Sequence, residues 1–213
     1  MFASPSYPAP TPGEIDAFVA EQFCGKLIAT DAGGFPRVSL LPFVPGPESI
    51  EVHMVQADPT FEALRAAGRA SFLVDEPLAF TPHDVVSPDY AGMATLHFRA
   101  VVFHVEAEIS LAPQHVAEAL ERLLRRYEEG RRWLPVLDGP TYGRDLRRLA
   151  VARLRKVGVE AKFKVAQNRT PDQRERLLEF LRARGQGGDE RAARVIQAAA
   201  AADPRGRRAP ADR

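Results

Sequence analysis

Apolar and polar residues alternate along the chain, and the clearest example is the stretch at residues 157–165, VGVEAKFKV. Every second residue there is apolar, and the positions between them include Lys162 and Lys164. A period of two is typical of a strand with one face against a core. We therefore predict a strand whose other face carries both lysines.

A helix is predicted directly after this strand. Thr170 suits the N-cap position, Pro171 the first helical position and Gln173 the capping box. The inner stripe of this helix consists of Leu177, Leu178 and Leu181.

The same patterns assign the remaining elements. Strands are predicted at 26–30, 37–44, 50–55, 70–74, 95–109 and 151–165, with DAGGF as a hairpin turn between the first two. Helices are predicted from Pro12, between Pro59 and Gly68, after Pro113, and at 144–149, 171–183 and 190–202. A long loop with several prolines is predicted between Glu76 and Tyr90.

Strands with hairpin links and interleaved helices predict an α+β fold, a small antiparallel barrel with helices outside it. A chain of 213 residues is long enough for one such domain with a sizeable core. We assign residues 1–168 to the barrel and 169–203 to C-terminal helices packed on the barrel or on a dimer. Residues 204–213 are predicted to be a disordered tail.

Four sequence blocks resemble one known family. They are VSLLPFV, VHMVQADP, SPDYAGMATLHF and KFKVAQN with the capped helix behind it. Their order and spacing resemble those of the PaiB-type family of FMN-binding negative transcriptional regulators. The resemblance implies an FMN-binding split β-barrel with surrounding helices and a C-terminal helical extension. It also implies a homodimer with flavin sites near the interface.

The resemblance and the chemistry of FMN together suggest a set of cofactor-binding residues. A phosphate dianion needs cations or several N–H donors, and the flavin ring needs polar partners at its edge. The candidates are Arg37, Ser39, His53, Gln56, His97, Lys162, Lys164, Gln167 and Asn168. Lys162 and Lys164 share a strand face and could reach one phosphate.

The chain departs from the family pattern at positions that matter for an anion. Gln56 stands where an arginine is usual, and Asp58 stands where an asparagine is usual. The first change removes a bidentate clamp and the second adds like-charge repulsion. Leu40 and Ala166 replace a usual histidine and serine. These changes weaken the predicted site.

Each candidate also has a purely structural alternative. The two lysines could lie on a solvated outer face, and Asp58 could serve only as the N-cap of its helix. Gln167 and Asn168 could simply end the strand and lead into the next cap. Three histidines lie on predicted strands without the spacing of metal ligands, so we predict no metal site.

Three functions remain open at this level. The first is an FMN-binding, PaiB-like regulatory protein. The alternative is a flavin-free dimeric interaction or regulatory module, or one that binds another small ligand. The third is a small flavin-dependent oxidoreductase, in which the flavin carries the chemistry, because the sequence shows no catalytic constellation.

Composition restricts the partners and the compartment. A net charge of +1 gives no overall bias toward nucleic acid. The last predicted helix carries five consecutive alanines, which offer little polar reach to base edges, so we expect no direct DNA binding. The single Cys24, the lack of a signal peptide and the lack of a long apolar run predict a cytoplasmic protein without a membrane span.

Overall fold

A computed structural model describes residue 1 and residues 5–202 of the chain. The helices are α1 Pro12–Glu21, α2 Pro59–Ala67, α3 Pro113–Tyr127, α4 Gly143–Leu146, α5 Pro171–Arg184 and α6 Asp189–Ala202. The strands are β1 Gly25–Thr30, β2 Pro36–Leu41, β3 Val44–Pro45, β4 Ser49–Val55, β5 Arg69–Thr81, β6 Thr95–Ser110 and β7 Leu149–Lys164. The tail predicted at 204–213 lies outside the described residues.

The strands form one antiparallel sheet in the order β2-β1-β5-β6-β7-β4-β3. β1 and β2 form the predicted hairpin, with Gly25 opposite Leu41 and Thr30 opposite Pro36. Asp31 holds the turn, because its Oδ1 accepts hydrogen bonds from the main-chain N–H groups of Gly33 and Phe35. The predicted α+β class with a split β-barrel is confirmed.

One predicted loop is strand over its first six residues. The strand predicted at 70–74 continues to Thr81 within β5. The rest of the predicted loop contains one short 3-10 helix, His83–Val85, and a second one, Ala91–Met93, follows the loop. Asp75, Glu76 and Pro77 suggested a loop because these residues are unfavourable in strands. The pairing of the Glu76 carboxylate with Arg99, at 2.6 Å, offsets that preference.

Two other elements end earlier in the structure than the sequence predicted. The strand predicted at 37–44 ends at Leu41, and the fully buried Phe43 separates it from β3. The helix predicted at 144–149 ends at Leu146, because Leu149 already pairs with Val55 at the start of β7. In both places tertiary contacts decided where the element ends.

The chain divides into two compact units. The terminal unit contains Met1–Pro12, Asp75–Ala100 and Ala161–Arg213, and the central unit contains Gly13–Val74 and Val101–Glu160. The central unit buries the aromatic pair Phe43 and Phe72, whose ring centroids are 5.3 Å apart in an edge-to-face arrangement. A second apolar cluster beneath α3 includes Val116 and Leu146.

The C-terminal helices belong to the core of the terminal unit. Their buried residues pack with β5 and the end of β7 in one cluster: Leu78, Ala79, Val165, Ala166, Leu177, Leu181, Ala192, Ala193 and Ile196. The predicted capping box is present, since Thr170 accepts from the Gln173 N–H and Gln173 accepts from the Thr170 N–H. The α5–α6 connection is closed by Asp189, whose buried carboxylate binds the Arg184 guanidinium at 2.6 and 2.9 Å.

Within residues 5–202, none of the helices combines the length and the apolar character that a membrane crossing requires.

Candidate functional site

Two lysines mark the end of β7. Lys162 and Lys164 are two residues apart on this strand, and both are partly buried. The alternation of side chains along a strand therefore places them on the same face, as predicted.

The chain turns sharply just beyond them. Ala166 has φ 62°, in the left-handed region that a residue with a side chain rarely adopts. The Arg169 N–H donates to the Ala166 carbonyl at 3.1 Å, which closes the turn. Asn168 and Arg169 thus lie in a tight turn next to the lysines, and strained backbone of this kind is often found at functional sites.

Arg169 is held in place by the segment before β6. Its Nη1 lies 2.8 Å from the Met93 sulfur, and its Nη2 donates to the Met93 carbonyl at 3.3 Å. Neither acceptor carries a formal charge, so these contacts orient the guanidinium without neutralising it.

Lys164 experiences an unusual electrostatic environment. Burial lowers the pKa of its ammonium, and repulsion from Lys162 and Arg169 lowers the pKa further. All three influences disfavour the charged form, and none of them comes from a carboxylate. We name Lys162, Lys164 and Arg169 the cation cluster.

Tyr7 lies over this cluster. The centre of its ring is 5.6 Å from Lys162 Nζ and 5.5 Å from Lys164 Nζ, which is the range of cation–π contacts. Burial raises the pKa of the Tyr7 hydroxyl, and the charge of Arg169 and a hydrogen bond from Asn168 oppose this shift. The N-terminal segment therefore contributes an aromatic side chain to the site.

His97 supplies a buried polar group next to the cluster. Its side chain is on β6, is 1% exposed, and makes a hydrogen bond of 3.0 Å between Nε2 and Thr81 Oγ1. Burial lowers its pKa to about 4; the Lys164 main chain opposes this shift, while the charges of Lys164 and Arg169 add to it. The imidazole is therefore neutral at pH 7.

Some buried polar atoms near the cluster have no partner of good geometry among residues 5–202. In the terminal unit these atoms are His97 Nδ1, Thr95 Oγ1 and Asn168 Oδ1. The Lys164 main chain nevertheless acts on the His97 ring as a hydrogen-bond partner that favours its charged form. Unsatisfied buried polar atoms are rare in proteins, and each one calls for an explanation such as local strain, an ordered water or a ligand.

Gln167 has a local role in the structure. Its Oε1 accepts from the Val165 N–H at 2.8 Å, and its Nε2 donates to the Phe163 carbonyl at 2.5 Å. The side chain thus ends β7 by bonding the strand's own backbone.

Four of the predicted residues belong to the central unit, and the structure gives three of them polar partners there. Arg37 Nε donates to Asp31 Oδ2 at 2.8 Å at the exposed hairpin turn. Ser39 Oγ lies 2.8 Å from both Asp58 Oδ2 and Thr60 Oγ1. Since one hydroxyl has one proton, Ser39 donates to the carboxylate and accepts from the threonine.

Gln56 and Asp58 stabilise local structure in the same unit. Gln56 Nε2 donates to the carbonyls of Leu149 at 2.8 Å and Arg147 at 3.1 Å. Asp58 is the N-cap of α2 and accepts from the Thr60 N–H at 2.7 Å. An anion here would have to displace these contacts and approach a carboxylate.

His53 lies on β4 opposite Val151 and is partly buried. Burial lowers the pKa of its imidazole, and the charge of Glu51 partly opposes the shift. It is therefore a neutral side chain at pH 7.

The structure brings His97, Lys162, Lys164 and Asn168 together in the terminal unit, with Gln167 beside them. Sequence reasoning missed Tyr7 and Arg169. Arg169 directly follows the KFKVAQN block, and its position next to Asn168 was a usable signal. Tyr7 lies in an irregular proline-rich segment, in which no periodicity indicated a contact with β7.

A groove of about 620 Å³ lies in the central unit between α3 and residues 133–138. It contains none of the predicted site residues. The Glu121 carboxylate in it accepts from Trp133 Nε1 and from the Val136 N–H, and Arg122 in it binds Glu51. Because these charged groups already have partners, the groove is a weaker candidate than the cation cluster for binding a charged ligand.

Among the described residues, no group of three or more histidine, cysteine, aspartate or glutamate side chains could hold a metal ion.

A family model described as "Putative FMN-binding domain" matches residues 1–152 of the chain. The match covers more than half of the chain, so this protein belongs to that family of FMN-binding domains. It ends within β7 before Lys162, and the cation cluster therefore lies beyond it. No curated protein matches the chain.

Solved structures with the same fold come from several bacteria. A conserved hypothetical protein from Mycobacterium tuberculosis has a TM-score of 0.56 at 17% identity, over 77% of this chain and 91% of that chain. The flavocytochrome Anf3 from Azotobacter vinelandii has a TM-score of 0.57 at 18% identity, over 72% of this chain and 67% of that chain. An FAD and heme binding protein from Mycobacterium smegmatis has a TM-score of 0.56 at 13% identity, over 75% of this chain and 73% of that chain.

The residues of the terminal unit fit the phosphate end of FMN. A phosphate dianion is best held by cations and N–H donors, and the cation cluster supplies three such side chains. Among the described residues, the buried Asn168 Oδ1 has no hydrogen-bond partner, so it can bond a polar group elsewhere on the cofactor without breaking an existing contact.

Proposed function

We propose that this protein binds FMN and that Lys162 and Lys164, with Arg169, hold its phosphate. One observation carries the proposal: Lys164 is partly buried beside two other cations, and every influence on its pKa disfavours its charge. A bound dianion removes this repulsion. The same three side chains then provide charge-assisted hydrogen bonds, which are the strong ones in proteins.

His97 and Asn168 complete the proposed site. His97 is neutral at pH 7, and Asn168 Oδ1 has no hydrogen-bond partner within the part of the chain that the structure describes. Such atoms suit the polar edge of a flavin better than its phosphate, because neither carries charge. Bound FMN supplies the redox chemistry, and these residues bind and orient it.

Titration with FMN and riboflavin tests the proposal, because riboflavin lacks the phosphate. When binding to the wild type is followed by flavin fluorescence, we expect FMN to bind more tightly than riboflavin. Lys164→Ala should weaken FMN binding by roughly 10- to 100-fold, the equivalent of one charge-assisted hydrogen bond. The same change should leave riboflavin binding nearly unaltered.

Lys26→Ala is the matched control, because Lys26 is in β1 of the central unit. It should bind FMN like the wild type. Equal losses of FMN and riboflavin in Lys164→Ala would show that Lys164 does not hold the phosphate. Absence of FMN binding to a folded wild type at large excess would overturn the cofactor proposal.

The second candidate function is a flavin-free interaction module. The observation that favours it lies in the central unit, where Arg37, Ser39 and Gln56 are committed to intramolecular hydrogen bonds. Three predicted ligands are thus engaged elsewhere. A folded protein that ignores FMN in the titration is the outcome that selects this candidate.

The four family-like sequence blocks support a regulatory role of the PaiB type as part of the proposal. We do not extend this role to direct DNA contact, because α6 buries Ala192, Ala193 and Ile196 in the terminal unit. Its apolar face is therefore engaged in packing.

A homodimer is also part of the proposal. Val38 and Leu40 project from β2, the strand at one end of the sheet, and are 51% and 66% exposed. Apolar side chains on an edge strand are a liability unless something covers them. The family resemblance, which implies a homodimer, supports a second copy of the chain as the partner that covers them.

A further inference from the structure

The contact between Tyr7 and the lysine pair is made by a residue far away in the sequence. Tyr7 precedes α1, whereas Lys162 and Lys164 end β7. Its ring lies at nearly equal distances, 5.6 and 5.5 Å, from the two ammonium groups. Both ammonium groups thus contact the same ring.

The hydroxyl end of Tyr7 is held as well, by a hydrogen bond to the turn after β7. The Asn168 side chain bonds the Tyr7 hydroxyl, and Arg169 lies close enough for its charge to act on that hydroxyl. Tyr7 therefore contacts or faces four residues of the proposed site: Lys162, Lys164, Asn168 and Arg169. A side chain with these contacts occupies space in front of the cation cluster.

A ring and an anion compete for the same ammonium groups. The negative face of an aromatic ring attracts a cation weakly, whereas a phosphate oxygen attracts it through full charge and hydrogen bonds. A phosphate that reaches the lysines therefore replaces the weaker partner with a stronger one. The exchange also releases the Asn168 side chain.

We infer that Tyr7 is a displaceable cover that limits the access of anions and other solutes to Lys162 and Lys164. The inference rests on the proposed function for the identity of the ligand. The cover itself is a property of the protein alone. It makes the N-terminal segment a part of the binding site that moves when a phosphate-bearing ligand enters.

Amine acylation measures the cover without any ligand. The chain contains four lysines, so Lys26 and Lys156 act as internal standards within the same molecule. Limited reaction with an N-hydroxysuccinimide ester of acetic acid, followed by peptide mass spectrometry, gives the rate at each lysine. In Tyr7→Ala we expect faster reaction at Lys162 and Lys164, by roughly five-fold, and unchanged rates at Lys26 and Lys156.

Two further variants separate the ring from general effects on the fold. Tyr7→Phe keeps the ring and should retain slow acylation at both lysines. Tyr90→Ala removes another tyrosine of the terminal unit, one that is 62% exposed, and should react like the wild type. If Tyr7→Ala does not fold, Tyr7→Leu replaces it and should also react faster than the wild type at both lysines, because leucine lacks the ring that contacts the two ammonium groups.

Titration with inorganic phosphate then tests the competition. Tyr7→Ala should bind phosphate roughly five- to thirty-fold more tightly than the wild type, because the cation–π contacts no longer oppose binding. Unchanged acylation rates in Tyr7→Ala would overturn the cover. Weaker phosphate binding in Tyr7→Ala would overturn it as well, since Tyr7 would then assist the ligand.

The failure of the proposed function is distinguishable from the failure of this inference. Faster acylation in Tyr7→Ala together with no FMN binding in any variant refutes the flavin proposal and retains the cover. FMN binding that depends on Lys164, together with unchanged acylation in Tyr7→Ala, retains the flavin proposal and refutes the cover.

Discussion

At the scale of single residues, the proposed site includes buried polar side chains that the described residues satisfy only in part. His97 is the clearest case, because its imidazole is almost fully buried and its Nε2 is hydrogen-bonded to Thr81 Oγ1. A buried neutral histidine of this kind lowers stability in acid, since the unfolded chain can accept a proton that the folded chain resists.

The titration of His97 tests this environment. Burial lowers its pKa to about 4, whereas an unfolded chain takes up the proton near 6.5. Between these values the unfolded state binds more protons, so the free energy of unfolding should fall as the pH is lowered from about 6.5 to 4. The expected slope is about 1.4 kcal/mol per pH unit.

Two measurements check this expectation. The His97 ring protons, followed by NMR, should show no titration until the pH approaches 4. Urea unfolding of His97→Gln should lack the part of the pH dependence between 6.5 and 4 that belongs to this residue. A ring pKa near 6.5 would show that His97 is solvated.

At the scale of elements, the packing of α6 depends on the short connection after α5. Gly185 ends α5 in the left-handed conformation, and Arg184 and Asp189 close the loop with a buried ion pair. The Arg184 hydrogen bond holds the pKa of the Asp189 carboxyl below its usual range. The pair therefore stabilises this connection above the ordinary aspartate pKa and loses its effect as the pH falls through the lowered value.

Gly188 is the residue in this connection that should least tolerate a side chain. Its φ is +92°, and an added Cβ would lie 2.5 Å from the Leu78 carbonyl oxygen of β5. Gly188→Ala should therefore lower the free energy of unfolding by about 2 kcal/mol or more, as measured by urea denaturation.

Gly187 provides the matched control one residue away. A Cβ built on it meets nothing within 4 Å among the described residues. Gly187→Ala should change stability by less than about 0.5 kcal/mol. Equal effects of the two substitutions would contradict the packing of α6 against β5.

At the scale of the whole molecule, the family and the fold agree on a flavin-type split β-barrel, whereas the assembly is a proposal. The exposed apolar residues of β2 are the feature that bears on it. Leu40 stands where the PaiB-like pattern has a histidine and is 66% exposed, which makes it unfavourable in a monomer.

Light scattering coupled to size-exclusion chromatography tests the dimer. The wild type should have twice the mass of one chain. Leu40→Lys should shift the protein toward the monomer, because a charge would be buried in the interface. Leu134→Lys is the control, since Leu134 is 65% exposed and lies outside the sheet. A monomeric wild type would contradict the proposal.

The sequence alone predicted the elements whose signals are local. The strand at 157–164, the capping box of α5 and the turn between β1 and β2 were confirmed, because extended segments, caps and tight turns depend on residues a few positions apart. The predicted core face of this strand was wrong at Val157 and Val159, which are 50% and 52% exposed. The placement of Lys162 and Lys164 on one strand face followed from the same reasoning.

The tertiary structure decided the features that join distant parts of the chain. Glu76 could become part of a strand only because Arg99 and Arg191 bind its carboxylate. Tyr7 reached the lysines without any periodic signal. What the sequence determined was the local geometry of each element. The tertiary structure determined which distant residues each charge and polar atom meets, because such contacts join segments that no local pattern connects.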